Sequence, residues 1–347
     1  MRYRRLGGTG WMVSEIGLGT YPLGGAVQST GGSWTGPVTY GAVAAEEAVA
    51  TVRAGLERGL NFVDTAPVYG QAEAFIGNAL RDWAAAAPAG SRCYVETKCG
   101  EFVARNADSG APELARDFSR KALRESLSLS RRYLGTNRLD VVLLHSPSAD
   151  ELAEDPLGLL VDWRERGETA HVGESARNVQ RALELIEHDG RAEVLQIGFN
   201  LLQPEAAQRL LALAAERDVG IIVRTPLASG FLTGTIAEDH TFAADDYRSM
   251  MRRERIAQLA QQARAFLWLV DEGIAASLSE AALRYILSFP AVSSVIAGAM
   301  QSQELVENLR ASEAGPLPAA ALSRVQETQR ALGLLRSPAA PRSAGAG

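Results

Sequence analysis

Short runs of β-branched and apolar residues recur along the chain at 14–20 (SEIGLGT), 61–66 (NFVDTA), 93–98 (CYVETK), 139–145 (LDVVLLH), 170–175 (AHVGES), 193–199 (EVLQIGF), 220–225 (GIIVRT) and 293–298 (SSVIAG). Their length and composition are those of buried strands. Between most of them lie Ala/Leu/Arg-rich stretches whose apolar residues repeat at three and four, as at 46–59, 116–135 and 204–220. That spacing predicts helices, several of them ending at glycine. Strand and helix alternate without a linker or a break in composition, which implies parallel crossovers within one sheet. Eight such units favour a single closed (β/α)8 TIM barrel, an α/β fold, over an open doubly wound sheet. The absence of GxGxxG after any strand agrees, since GTGW at 8–11 is an imperfect and misplaced match.

Three segments stand outside the alternation: the Gly/Ser/Thr-rich stretch 24–42 with Trp34, the polar stretch 235–255, and the tail SPAAPRSAGAG at 337–347. The first two follow the first and seventh strands, so in a barrel they are loop insertions at the C-terminal face, where substrates bind. The barrel is expected over 1–336 and the tail is expected to be disordered.

Composition narrows the function classes. The chain has 347 residues, 46% hydrophobic and 22% charged, with a formal net charge of −6. This mildly acidic balance argues against a nucleic-acid partner or a polybasic membrane anchor. No apolar run approaches the roughly 18 residues of a membrane span. The basic start MRYRRLGGTG runs into glycines instead of an apolar core, unlike a signal peptide. The two cysteines, Cys93 and Cys99, imply no disulfide scaffold, and a cytoplasmic location follows as the expectation. His171, His188 and His240 lack ligand spacing, so no metal site is expected. Cys99 reads as a small buried thiol, and the basic run 119–132 as a solvated helix face.

Barrel interiors call for Val, Ile and Leu, so ionisable groups at strand ends need a reason. Asp64 ends the second run, Tyr69 lies just beyond it, Lys98 ends the third and His145 the fourth. A buried Lys98 needs a partner, and Asp64 is one strand away. A charged Lys98 beside Tyr69 is expected to lower the phenol from its ordinary value of about 10. Tyr69 then serves as a proton donor, and a neutral His145 orients a substrate oxygen. The set suits a carbonyl that gains a hydride at carbon and a proton at oxygen.

In their contexts, NFVDTAPVYG, ETKCG and LLHSP, these residues resemble the Asp-Tyr-Lys-His tetrad of the aldo-keto reductases. Further likeness runs through MRYRRLGGTGWMVSEIGLGTYPLGG, similar to the family's N-terminal β-hairpin and first strand, then VLQIGFN, RTPLASGFLTG and SVIAGAMQSQELVENL. The resemblance implies a (β/α)8 barrel that binds NADP or NAD extended across its mouth. It implies Tyr69 as general acid/base, Lys98 and Asp64 as its tuning pair, and His145 as the orienting group. The partner it implies is a small carbonyl or alcohol substrate, such as an aldehyde, ketone or sugar. A redox-neutral lyase, dehydratase or epimerase on the same scaffold, or a non-catalytic dinucleotide-sensing subunit, stays open. Direction of reaction and oligomeric state are not legible.

Cofactor positions carry over by the same resemblance: Gly19, Thr20, Tyr21 and Asp64 near the nicotinamide, Ser175 and Gln196 on its carboxamide, Arg224, Thr225, Leu227 and Ser229 after the seventh strand, and Gly298, Met300, Glu304, Glu307 and Asn308 at the adenosine end. Two departures stand out. Ala176 replaces the usual Asn after Ser175, and no base lies between Gly298 and Asn308, where NADP-preferring members carry Arg or Lys. A carboxylate near a ribose 2′-OH accepts from it and repels a 2′-phosphate, which points to possible NAD use unless a distant base such as Arg310, Arg252 or Arg253 intervenes.

Overall fold

A computed structural model describes residues 1–335; the tail expected to be disordered lies outside the described residues. The chain opens with an antiparallel hairpin of β1 (Tyr3–Arg5) and β2 (Met12–Ser14), followed by β3 (Ile16–Gly19). A second hairpin, β4 (Gln28–Gly31) and β5 (Trp34–Pro37), precedes β6 (Phe62–Asp64) and β7 (Tyr94–Cys99). A third, β8 (Glu101–Arg105) and β9 (Pro112–Arg116), leads to β10 (Leu139–His145), β11 (Thr169–Ser175), β12 (Val194–Gly198), β13 (Gly220–Arg224) and β14 (Val292–Gly298). Strands β3, β6, β7, β10, β11, β12, β13 and β14 pair in that order, all parallel, and β14 closes on β3 through Val295 opposite Ile16 and Gly298 opposite Gly19. The fold is the eight-stranded α/β barrel expected from the pattern.

Strand alternation divides the core in two. On β10, Val141 and Leu143 turn inward to a cluster with Phe62, Val194, Ile222 and Ile296, whereas Val142 and Leu144 pack outward beneath the helices. The inner cluster also takes Leu6 and Val13 of the first hairpin, with Trp11 against it, so that hairpin plugs the N-terminal end of the barrel. One pleat further along the same inward rows the side chains become polar: Asp64 follows Phe62, Glu96 and Lys98 follow Tyr94, Gln196 follows Val194 and Arg224 follows Ile222. The apolar half of the barrel supplies stability, and the half toward the C-terminal ends is left for chemistry.

The helix read from periodicity at 116–135 begins only at Arg120, with Ser119 as its N-cap and Gly135, at φ 69°, as its C-cap. Residues 116–119 belong instead to the end of β9 and the turn after it. The third hairpin went unread because EFVAR and PELAR alternate weakly. Its turn is set locally, with Asn106 Oδ1 accepting from the backbone N–H of Asp108 and Ser109 and Gly110 at φ 69°. It docks on the second hairpin, where Ser29 Oγ accepts from the Leu114 N–H (2.9 Å) and Leu114 O accepts from the Ser33 N–H (2.8 Å). Together the two hairpins build one wall over the mouth.

Candidate active site

The register of β6 and β7 places the tetrad. Asp64 ends β6 and Lys98 lies in the last turn of the pleat in β7; their side chains form an ion pair almost wholly shut off from water. Lys98 Nζ also donates to Thr65 O (3.0 Å) and sits 4.9 Å from the centre of the Tyr69 ring. Tyr69 is held in a turn whose carbonyl lies against Gly24; a Cβ at residue 24 would overlap that carbonyl, so only glycine lets the two segments approach this closely. His145, at the end of β10, meets the Tyr69 ring edge-on at 6.0 Å. All four sequence-predicted residues therefore converge at the C-terminal mouth.

Their electrostatics differ from expectation at one point. Burial alone would discharge Lys98, but the charge of Asp64, in direct contact with it, outweighs burial and holds the ammonium above its ordinary range. Burial, reinforced by the charges of Lys98, Arg224 and Arg116, keeps His145 neutral well below the usual imidazole value. Tyr69, by contrast, is not lowered. Burial pushes its phenol up to about 12; Lys98 pulls it down and Asp64 pushes it up again. Desolvation of a phenolate exceeds the gain from an ammonium that Asp64 already neutralises. At neutral pH Tyr69 is therefore protonated.

A cavity of about 350 Å³ opens between Tyr21, Trp34, Glu101, Arg116, Arg177 and Tyr247; none of the tetrad lines it, but Tyr21 in its wall meets the Tyr69 ring edge-on at 5.0 Å. Both sequence insertions contribute to it, Trp34 from 24–42 and Tyr247 from 235–255. Glu101, Arg116 and Arg177 were not anticipated, since they belong to the unread third hairpin and to the loop after β11. Arg116 ties Glu101 (3.2 Å) to Glu151 (3.0 Å), and Glu101 Oε2 lies 3.3 Å from His145 Nδ1. A larger hollow of about 530 Å³ between helices Ala72–Ala86 and Arg120–Leu134 contains none of the tetrad in its lining.

The residues expected to hold a dinucleotide ring the same mouth. Thr20 donates to Asp64 O through N–H (3.1 Å) and Oγ1 (2.8 Å), which fixes the end of β3 and Gly19 beside β6. Tyr21 Oη bonds Val38 O. Ser175 Oγ donates to Gln196 Oε1 (3.0 Å), and Gln196 Nε2 donates to Asp64 Oδ1 (2.7 Å) and to Glu96. Thr225, Ala228 and Ser229 are non-glycine residues at φ of 52°, 48° and 56°, three strained positions in the loop that also holds Leu227. The insertion 235–255 clamps that loop: Tyr247 Oη donates to Ser229 Oγ (2.6 Å) and Arg248 to Ser229 O (2.9 Å). At the far end, Asn308 Nδ2 donates to Gly298 O (3.3 Å), the Met300 N–H to Glu304 Oε2 (2.7 Å), and Gln303 to Glu307 (3.1 Å).

The sequence model of the Aldo/keto reductase family matches residues 15–330. The chain belongs to the aldo-keto reductases. It is 28% identical over 333 residues to a probable voltage-gated potassium channel subunit beta of Oryza sativa subsp. japonica, covering 91% of this chain and 93% of the relative. It is 25% identical over 317 residues to an NADH-specific methylglyoxal reductase of Escherichia coli K12, covering 88% and 92%. Among solved structures, a glycerol dehydrogenase from Gluconobacter oxydans superposes with a TM-score of 0.76 at 22% identity, covering 97% of this chain and 98% of that one.

As an aldo-keto reductase the protein is an NAD(P)-dependent oxidoreductase, and its mouth has groups suited to a dinucleotide. The Arg224 Nε is buried without a partner, and its Nη2 reaches only Ala176 O (3.3 Å). Among the described residues no carboxylate pairs with Arg224, so it is not spent in a salt bridge and is available to an anion or a ring face. Ser175 and Gln196 already satisfy each other, which leaves less of either amide or hydroxyl for a carboxamide than the resemblance implied. No helix among the described residues is long and apolar enough to cross a membrane, and no cluster of three or more His, Cys, Asp or Glu could hold a metal. Cys99 is fully buried, with its thiol pushed up by burial.

Proposed function

We propose that this aldo-keto reductase interconverts a small carbonyl compound and its alcohol, with Tyr69 as general acid/base. The observation that carries the reading is the convergence of Tyr69, the Lys98–Asp64 ion pair and a neutral His145 at the C-terminal mouth, in contact with the solvent-connected cavity through Tyr21 and Glu101 of its lining. A bound nicotinamide dinucleotide supplies or accepts the hydride. His145, being neutral, orients the carbonyl oxygen without competing for its charge. Tyr69 gives that oxygen its proton, and the Lys98 ammonium stabilises the resulting phenolate, which regains a proton from solvent. The aromatic faces of Tyr21, Trp34 and Tyr247 exclude water from one side of the cavity, while Glu101 and the guanidinium groups of Arg116 and Arg177 offer hydrogen bonds on the other. A panel of aldehydes, ketones, sugars and alcohols assayed with both dinucleotides tests this; turnover without any change in dinucleotide absorbance overturns it.

We infer NAD as the preferred cofactor. The donors at the start of helix Ser302–Ala314 are occupied by carboxylates: Glu47 accepts from the Ser302 N–H (2.9 Å) and hydroxyl (3.1 Å), and Glu304 from the Met300 N–H. Those bonds hold Glu47 below the usual carboxylate range and so keep it charged. A 2′-phosphate brought to this end meets two negative charges where it needs a cation. The name of the Escherichia coli relative, an NADH-specific reductase, points the same way. The expected kcat/KM ratio of NADH over NADPH exceeds 1, Glu304→Lys lowers it by about tenfold, and a wild-type ratio below about 0.1 overturns the inference.

The similarity to a channel β subunit favours a second reading, in which the barrel senses its dinucleotide without sustained turnover. Stopped-flow mixing of the reduced complex with a generic aldehyde separates the two. Hydride transfer is the result expected, and its absence favours sensing.

A further inference from the structure

Glu96 lies one pleat below Lys98 on β7, pointing into the barrel, and belongs to none of the roles above. It is wholly buried. Its register partner on β6 is Asp64, so two carboxyl groups stand side by side in a dry interior. Gln196 spans them, with Nε2 donating to Asp64 Oδ1 (2.7 Å) and to Glu96 Oε1. The other oxygen, Oε2, is buried with no hydrogen-bond partner. An ionised carboxylate left with such an oxygen is costly. Two adjacent carboxylates in this setting cannot both ionise readily. Asp64 is the one in contact with the ammonium, so the proton of the pair resides on Glu96.

Charged and titratable groups around it are few. Asp64 faces it from β6 and Lys98 from β7 itself. Tyr69, His145 and Arg224 stand at the rim, β10 offers only Val141 and Leu143 on its inner side, and β11 and β12 offer the neutral Ser175 and Gln196. Burial and then the Asp64 charge push Glu96 well above the usual carboxylate range, and Lys98 only partly opposes this.

We propose that Glu96 is a positioning residue for the tetrad: it holds the Gln196 amide across Asp64, and the proton kept by the Asp64–Glu96 pair leaves the Lys98 ammonium opposed by a single negative charge. The inference rests on the proposed role of Tyr69. While the pair keeps its proton, Lys98 and Asp64 sum to zero and the phenolate formed when Tyr69 donates meets no net negative charge. When that proton leaves at alkaline pH, a second negative charge appears beside Asp64 and opposes the phenolate, so proton donation by Tyr69 and carbonyl reduction fall together. The bonding also accounts for the Gln196 amide being turned toward the tetrad.

The test compares the full-length wild type with Glu96→Gln and Glu96→Leu. Glutamine imitates the neutral acid in size and keeps an acceptor for Gln196, but cannot ionise. E96Q is expected to keep kcat within about threefold of wild type at neutral pH and to move the alkaline fall in kcat up by at least about one pH unit. E96L, which leaves Gln196 Nε2 one acceptor short, is expected to lose about tenfold in kcat with a smaller change in KM. Infrared difference spectra of wild type minus E96Q at neutral pH are expected to contain the C=O stretch of a protonated carboxylic acid. A carboxylate band in its place, or an alkaline limb unchanged in E96Q, overturns the proposal. The infrared measurement needs no turnover, so it decides the protonation of Glu96 even if the carbonyl chemistry is wrong and E96L fails to fold.

Discussion

Tyr69→Phe is expected to lower turnover by about 10²–10⁴-fold, the range of a lost general acid, while dinucleotide affinity stays within about twofold. The asymmetry follows from what the substitution removes. The ring keeps its packing against Tyr21, at 5.0 Å between centres, and against His145. Lys98 keeps Asp64 and Thr65 O. Only the phenolic proton goes, and only the transition state uses it. Because burial outweighs Lys98 and holds the phenol near 12, wild-type Tyr69 stays protonated through neutral pH, and the loss in the variant is expected to be similar across that range. Steady-state kinetics with tryptophan fluorescence titration of the dinucleotide checks both halves. Turnover retained within about tenfold would remove Tyr69 from the mechanism.

Lys98→Met acts on stability as well as activity. It leaves Asp64 buried beside Glu96 with no cation, and breaking one side of a buried pair costs about 3–5 kcal/mol. The Lys98→Met, Asp64→Asn double variant removes both charges, so denaturant unfolding is expected to recover part of that stability. Activity is not expected to return, because no ammonium remains to stabilise a Tyr69 phenolate. If the double variant is as unstable as the single one, the pair contributes through shape and not through charge. If it turns over normally, Lys98 has no chemical role.

Much of this design was legible in the chain. Each of the eight expected strands is present, because a parallel barrel strand is buried on both faces and reads as a compact apolar run. The positions of Asp64, Lys98 and His145 at strand ends were legible for the same reason: an ionisable side chain is conspicuous where the pattern calls for Val or Leu. The hairpin β8 and β9 was not legible, since EFVAR and PELAR are half-buried and find their order by docking on β4. With that hairpin went Glu101 and Arg116, two walls of the cavity. The approach of Glu47 to Ser302 joins residues 255 positions apart, and no local signal anticipates it.

By itself, then, the sequence determined the barrel, the strand order implied by parallel crossovers, and the four residues delivered to its mouth, because these depend on alternation and on neighbours along the chain. Tertiary structure alone decided the sign of the Tyr69 shift, the burial of Glu96 beside Asp64, and the carboxylates that cover the start of helix Ser302–Ala314. Those outcomes depend on how completely water is excluded and on which distant charges share the space, and burial and long-range proximity are properties of the closed barrel.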